Sequence, residues 1–290
     1  MKYIKPYQIF EANAAAPAAL TQEQIKWLDK CVNGSWKLNP QTGLIDVDGD
    51  FDCNKQGLTD LKGVKFGNVS GYFYCSENQL TSLVGAPQTV GGVFDCEDNQ
   101  LTTLVGAPQT VGGHFDCDDN QLTSLEGAPQ TVGGFNCSYN VLTSLEGAPQ
   151  EVKGHFDCRG NQLTTLEGAP QSVGGSFDCH DNPLTSLVGA PQTVGGNFSC
   201  KRNELTTLEG APKKLSGFYC EGNPVTESTL DAIFALMRKG MAYQQALEKR
   251  WPKMGDEDRV LMYKQMTNLS PEETRKYNAL ATYANIKGYL

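Results

Sequence analysis

Apolar residues recur through the middle of the chain with a period of about 21 residues. One unit, residues 94–113, reads FDCEDNQLTTLVGAPQTVGG and is followed, after His114, by another Phe-Asp-Cys. The phenylalanine and the cysteine are two positions apart, so on a β-strand they share one face and the residue between them faces the other way. Each unit is too short to bury its own apolar side chains. The pattern therefore predicts units that stack into one continuous core.

Cysteine marks the repeat most clearly, because all but one of the 10 cysteines fall in a single column. The column comprises Cys53, Cys75, Cys96, Cys117, Cys137, Cys158, Cys179, Cys200 and Cys220. Since it has the inward phase of the phenylalanines, we predict free thiols that pack as small apolar groups. Spacing of the C-x-x-C kind is missing, which argues against a structural zinc site. Disulfides between neighbouring units would need an oxidising compartment.

An asparagine follows each cysteine of this column from Cys75 onward by three residues, at the point where the chain leaves the strand. We predict that its side chain bonds backbone groups that would otherwise be buried unpaired. The column comprises Asn78, Asn99, Asn120, Asn140, Asn161, Asn182, Asn203 and Asn223. The Gly-Ala-Pro-Gln segment that comes later in the unit cannot form a regular helix. We expect turns and short extended pieces there.

The order Phe-x-Cys-x-x-Asn-x-Leu resembles the leucine-rich repeat frame, L-x-L-x-x-N-x-L, with Phe and Cys in its first two apolar positions. The resemblance covers roughly residues 45–225. It implies a leucine-rich-repeat solenoid with parallel β-strands on a concave face and a non-helical convex side. In such solenoids the extended concave surface is the usual binding surface.

The chain divides into four predicted parts. Thr21 and Gln24 form a capping box that begins a helix over 22–32, and residues 36–38 and 44–47 form a hairpin. The helix and hairpin should cap the first repeat, and a helical region should cap the last. The parts are an N-terminal arm (1–20), a helix-and-hairpin cap (21–50), a solenoid of nine units (51–223) and a C-terminal helical domain (224–290).

The net charge of −9 is unevenly distributed. Residues 224–290 contain 10 Lys and Arg against 8 Asp and Glu, so the rest of the chain has 14 against 25. An acidic solenoid disfavours binding to nucleic-acid phosphates and favours a protein partner, a cation or simple solubility. Neither a secretory signal nor a membrane span is evident in the sequence, so we expect a cytoplasmic protein that does not enter a membrane.

Outward positions beside Phe and Cys supply the candidate binding residues. They are Asp95, Glu97, Asp98, His114, Asp116, Asp118, Asp119, Tyr139, His155, Asp157, Arg159, Asp178 and His180. Two adjacent units contribute an acidic block of Asp95, Glu97, Asp98, Asp116, Asp118 and Asp119. Later units contribute a basic block of Arg159, His180, Lys201 and Arg202. Like charges about 5 Å apart repel, so the acidic block either meets a cationic partner, holds a cation or is tolerated in water.

The sequence does not predict an enzyme, a cofactor or a metal centre. His114 and His155 lie two strands apart, about 9 to 10 Å, which is too far to share a metal. Asp116 could orient the imidazole of His114, but Cys117 faces inward and no other nucleophile stands beside a base.

The residue identities within the repeat are more specific than the spacing of its leucine-rich repeat pattern. NQLTSLEGAPQTVGG-x-FDC, together with TGLIDVDGDFDC, FGNVSGYFYC, IKPYQIFE and NIKGYL, is similar to leucine-rich proteins encoded by large tailed bacteriophages. The resemblance implies a phage protein in the cytoplasm of an infected bacterium. Three hypotheses follow: a module that binds a host or phage protein, for example to inhibit a host factor; a structural virion or assembly protein; and a cation-dependent or enzymatic site on the acidic block.

Overall fold

The computed structural model describes residues 19–220 and 222–224. Most of the predicted N-terminal arm and nearly all of the predicted C-terminal helical domain lie outside these residues, so both stay predictions. Within the described ranges, no helix has the length and apolar character needed to cross a membrane.

A helix and a hairpin precede the repeats. Helix α1 (Gln22–Cys31) begins with the predicted capping box, in which the Thr21 side chain accepts from the Gln24 backbone and the Gln24 side chain accepts from the Thr21 backbone. Its Trp27 ring packs edge-on against Phe51, with centroids 5.2 Å apart. This contact closes the first turn of the core.

The hairpin is longer than the sequence predicted. Strands β1 (Val32–Leu38) and β2 (Ile45–Asp52) pair antiparallel along their whole length, from Val32 opposite Phe51 to Leu38 opposite Ile45. Gly34 and Gly49 face each other with φ of 140° and 126°, and a Cβ on either would meet the backbone carbonyl of the opposite strand. Two glycines therefore allow the strands to pair through a point where other residues would have ended the hairpin.

The repeats form a parallel-strand β-solenoid of about eight turns. Its first ladder joins nine Phe-x-Cys strands in one register, so that each phenylalanine lies opposite the next. The ladder consists of the end of β2 and of β4 (Phe73–Tyr74), β6 (Phe94–Asp95), β7 (Thr110–Asp116), β8 (Thr131–Asn136), β10 (Phe156–Asp157), β12 (Phe177–Asp178), β14 (Asn197–Ser199) and β15 (Gly217–Tyr219). This ladder is the predicted concave sheet.

The turns and short extended pieces that the sequence predicted at and after Gly-Ala-Pro are present, and the extended pieces pair into a second parallel ladder that was not predicted. It is built from the Thr-Val segment of each unit, whose valine is buried while the preceding residue faces outward. Its strands are the start of β2, of β7 and of β8, together with β3 (Phe66–Val69), β5 (Thr89–Val90), β9 (Glu151–Val152), β11 (Ser172–Val173) and β13 (Thr193–Val194). The alternation of one polar and one apolar residue is too short a sequence pattern to distinguish a strand from a turn.

Stacked rings and sequestered thiols fill the core. From Phe73 to Phe218 successive phenylalanine rings are 5.2 to 5.7 Å apart and within 15° of parallel. All ten cysteines are free and buried, which confirms the predicted inward phase of the column. Typically, Cys96 Sγ donates to the Asp116 carbonyl of the next turn at 3.2 Å. Burial raises the pKa of this thiol well above its ordinary value, so Cys96 is protonated near neutral pH.

The asparagine column bonds the backbone as predicted. Asn120 Nδ2 donates to the carbonyls of Cys96, Cys117 and Asp118 at 3.0 to 3.3 Å, and its Oδ1 accepts from the Leu101 amide at 2.9 Å. One side chain thus satisfies backbone groups of two successive turns. Because the same bonds recur along the column, they hold the Phe-x-Cys strands in register and fix where the following side chains project.

Candidate binding face of the solenoid

Six of the nine strands of the first ladder end in a turn made by the Asp or Asn side chain after phenylalanine. Asp95 Oδ1 accepts from the Glu97 amide at 3.0 Å, and Asp116 and Asp157 make the same bond in their own turns. These aspartates therefore have a structural role besides any role in binding. The side chains of Glu97 and Asp118 do not form this turn and are half-buried beside it.

The next residue in each turn adopts a left-handed backbone. Asp98, Asp119 and Tyr139 have φ of 49°, 52° and 48°, and Gly160 has φ of 64° at the same position. Aspartate and glycine are common in this conformation, whereas tyrosine is not. Asp98 and Asp119 are exposed, and Tyr139 is 49% exposed. The turn thus holds the side chains of Asp98, Asp119 and Tyr139 out towards solvent.

Four members of the acidic block converge in what we call the carboxylate cluster: Asp95, Glu97, Asp116 and Asp118. One oxygen from each of Glu97, Asp116 and Asp118 lies within 4.8 Å of the other two. Asp118 Oδ1 is buried and has no hydrogen-bond partner. Within the described residues, no Lys or Arg forms an ion pair with any of the four. The cluster therefore concentrates negative charge that the described chain does not neutralise.

The cluster holds its protons unusually tightly. Burial raises the pKa of Asp95 to about 6, although its bond from the Glu97 amide opposes the shift. Burial and then the adjacent Asp116 raise the pKa of Asp118 to about 7. The pKa values of Glu97 and Asp116 are raised as well, chiefly by burial. Near neutral pH the cluster can take up either protons or an external cation, and converging carboxylate oxygens are also the ligands that Ca²⁺ and Mg²⁺ use.

Three members of the basic block, Arg159, His180 and Arg202, pair with carboxylates of the chain itself. Arg202 makes two bonds to the carboxylate of Asp181, at 2.5 and 2.6 Å. His180 Nδ1 lies 2.6 Å from Asp178, and its Nε2 lies 3.5 Å from Asp181. Arg202 and Asp181 come from adjacent turns of the column that the sequence had already aligned, so their pairing could have been predicted.

Arg159 is held between an acidic and an aromatic neighbour. Its Nε lies 3.5 Å from Asp157 Oδ2, and its guanidinium carbon lies 5.5 Å from the ring centre of Tyr139. The Tyr139 ring lies over Gly160, the glycine of the next turn, where any side chain would collide with it. The candidates Tyr139, Asp157 and Arg159 are thus brought together by the fold, but they contact one another.

Two of the three candidate histidines, His114 and His155, occupy the same column of the face. The His114 ring covers Gly134 of the following turn, and its Nε2 is 3.9 Å from Asp116 Oδ2. Burial, and then the nearby His155, lowers the pKa of His114, which favours its neutral form. His155 Nδ1 accepts from the Ser176 amide at 2.9 Å. Both rings are therefore held in place by the surrounding turns.

Tyr72 and Tyr74 belong to the same face but were not among the sequence candidates. Their rings stack 5.6 Å apart at 28°, and Tyr72 is 43% exposed. Tyr74 lies directly opposite Asp95 in the register of the first ladder. A tyrosine on either side of Phe73, in the segment Gly-Tyr-Phe-Tyr-Cys, was the signal that could have found them, since both then face outward.

The chain matches no protein-family model and no curated protein sequence. Among solved structures it is similar to YopM from Yersinia enterocolitica WA-314, with a TM-score of 0.33 and 17% sequence identity. The match covers 74% of this chain and 62% of that one, so the chain spans less than two thirds of the length of the protein that it matches.

Proposed function

We propose that the protein is a non-catalytic interaction module that binds a basic segment of a protein partner at the carboxylate cluster. One observation supports the proposal above the others: Asp95, Glu97, Asp116 and Asp118 converge on an open sheet face without a Lys or Arg partner among the described residues. Elsewhere on the same face the carboxylates of Asp157, Asp178 and Asp181 contact cationic or imidazole side chains of the chain itself.

Electrostatic attraction is the physical basis of this proposal. Each turn places a carboxylate about 5 Å from its neighbour, so a partner with several Lys or Arg side chains would relieve repulsion at many points at once. Cationic groups would also lower the pKa values of Asp95 and Asp118 and release protons on binding. The resemblance to leucine-rich phage proteins supports a host or phage protein as the partner, with inhibition of a host factor as one outcome.

The test is affinity capture from bacterial lysate with Glu97→Lys/Asp118→Lys. The position that Glu97 and Asp118 occupy in their turns tolerates cations, because Arg159 and Lys201 occupy it in other turns. The side chains of Glu97 and Asp118 also do not form the strand-end turn. We expect that this variant does not retain the basic protein that the wild-type chain captures. Glu146→Lys/Glu167→Lys, at exposed loop positions, makes the same change of net charge and should retain it.

Two further measurements identify the mode of binding. Capture should weaken steeply as salt increases and should persist in EDTA, because the proposed contact is with Lys and Arg rather than through a bound cation. Retention that depends on Ca²⁺ or Mg²⁺ would favour the cation hypothesis. Equal retention by Glu97→Lys/Asp118→Lys and the wild-type chain would reject this surface.

A further inference from the structure

The two outward tyrosines beside the carboxylate cluster suggest what the partner presents there. Resting on the proposed function, we infer that Tyr72, Tyr74, Asp95 and Glu97 form a subsite for a single arginine side chain of the partner. The guanidinium group would lie against the tyrosine rings and donate to the carboxylates, and Val93 of the adjacent turn would contact the methylene groups.

The chain itself provides the template for this subsite. Arg159 lies 5.5 Å from the ring centre of Tyr139 and contacts Asp157, so it uses an aromatic ring and a carboxylate together. Lys201 likewise lies 4.9 Å from the ring centre of Tyr219. Separations of this size are those of cation–π contacts. Two of the tyrosines on this face are therefore already covered by cations from the same chain.

Tyr72 and Tyr74 differ from those two tyrosines. Tyr74 occupies the same column as Tyr219, but the turn before it carries Asn54 where the turn before Tyr219 carries Lys201. Asn54 Oδ1 accepts from the Ser76 amide at 2.7 Å and carries no charge. Within residues 19–220, cations lie over Trp27, Tyr139 and Tyr219, and none lies over Tyr72 or Tyr74.

The surroundings of the pair favour a cation from outside. Tyr74 is half-buried among acidic groups: burial, then Tyr72, Asp50 and Asp95, raise its pKa. The phenol therefore stays neutral and its ring face remains electron-rich. Arginine fits better than lysine, because a planar guanidinium can stack on a ring and still donate two parallel bonds to a carboxylate.

The experiment is calorimetric titration of the full chain at low salt with hexa-arginine and hexa-lysine peptides. We expect hexa-arginine to bind more tightly, and Tyr72→Ala/Tyr74→Ala to weaken its binding by about three- to ten-fold. The matched control is Tyr219→Ala, which removes a ring already covered by Lys201 and should leave the affinity unchanged. Equal losses in the two variants would overturn the subsite.

A second variant fills the subsite from within the chain. Asn54→Lys places an ammonium group beneath Tyr74 as Lys201 is placed beneath Tyr219, and we expect it to weaken hexa-arginine binding by a similar factor. Thr102→Lys adds the same charge at an exposed loop position and should have little effect. Circular dichroism confirms that each variant is folded.

The outcomes separate the subsite from the proposed function. Loss of binding in Glu97→Lys/Asp118→Lys, without any loss in the tyrosine variants, would retain the basic partner and reject the arginine subsite. If hexa-arginine and hexa-lysine both fail to bind the wild-type chain, the proposed function and the subsite are both wrong.

Discussion

The third and fourth turns of the solenoid and its sixth to eighth turns share one scaffold but treat their charges in opposite ways. In both regions the strand ends in an aspartate turn and the asparagine bonds two turns of backbone. In the later region Arg159, His180 and Arg202 contact the carboxylates. In the earlier region Asp118 faces Glu97 and Asp116 instead. The scaffold therefore uses the strand-end aspartates in both regions but does not require acidic side chains at the positions of Glu97 and Asp118, which supports a role for these two in binding.

The largest predicted effect tests whether the two regions are structurally equivalent. Asn120→Ala and Asn182→Ala each remove four bonds to buried backbone groups, one in each region. We expect each to lower the free energy of unfolding by about 2 to 4 kcal/mol, measured by urea denaturation. Gln100→Ala, at an exposed position, is the control. Very different losses in the two asparagine variants would show that the regions do not share one scaffold.

An effect of intermediate size is expected in the pH dependence of the free energy of unfolding. Because the folded-state pKa values of Asp95 and Asp118 are about 6 and about 7, the folded chain binds more protons than the unfolded chain between about pH 4 and 7. Stability contributed by these groups therefore falls as pH rises through this window. Asp118→Asn should reduce that slope and stabilise the protein at pH 8 by at most about 1 kcal/mol, measured by denaturation at several pH values.

Asp181→Asn is the control from the paired region. The hydrogen bonds from Arg202 lower the pKa of Asp181, so its contribution is lost only as pH falls below about 4. The variant should leave the slope between pH 5 and 8 unchanged. A wild-type chain whose stability rises between pH 5 and 8 would contradict the predicted sign for the carboxylate cluster.

The smallest effect is expected for the exposed ion pair. Arg202→Ala should change the melting temperature little, because the pair is open to solvent and screened by salt. Thermal denaturation of the two single variants and of Asp181→Ala/Arg202→Ala gives the coupling between them. A large loss in Arg202→Ala that disappears when Asp181 is also replaced would mean that this pair helps to hold the turns together, and the two regions would then differ in stability as well as in binding.

The repeating parts of the molecule could be predicted from the sequence because equivalent positions in every unit have the same surroundings. Phe94, Cys96 and Asn99 recur with fixed spacing, so their burial and bonding could be inferred once and applied to all turns. The second ladder escaped prediction because two residues, such as Thr89 and Val90, are too few to show a period.

The candidate site was predicted only in part, since it depends on residues that vary from turn to turn. The columns predicted an acidic block in which Glu97, Asp116 and Asp118 lie close together, as they do in the structure. They did not show that Arg159 would turn back onto Tyr139, nor that Tyr72 would lie over Gly92. Which neighbour a long side chain contacts depends on its conformation and on the surrounding side chains, and column position alone does not determine it.

The asparagine column has a consequence for how such a chain can change over evolutionary time. Asn120 bonds only its own turn and the one before it, and Cys117 bonds only the next, so each cassette depends on its immediate neighbours alone. Duplication or loss of one cassette would leave every other rung intact. It would shift the acidic region relative to the paired region by one strand spacing, about 4.8 Å. The distance between the two regions can therefore change only in whole steps of one cassette.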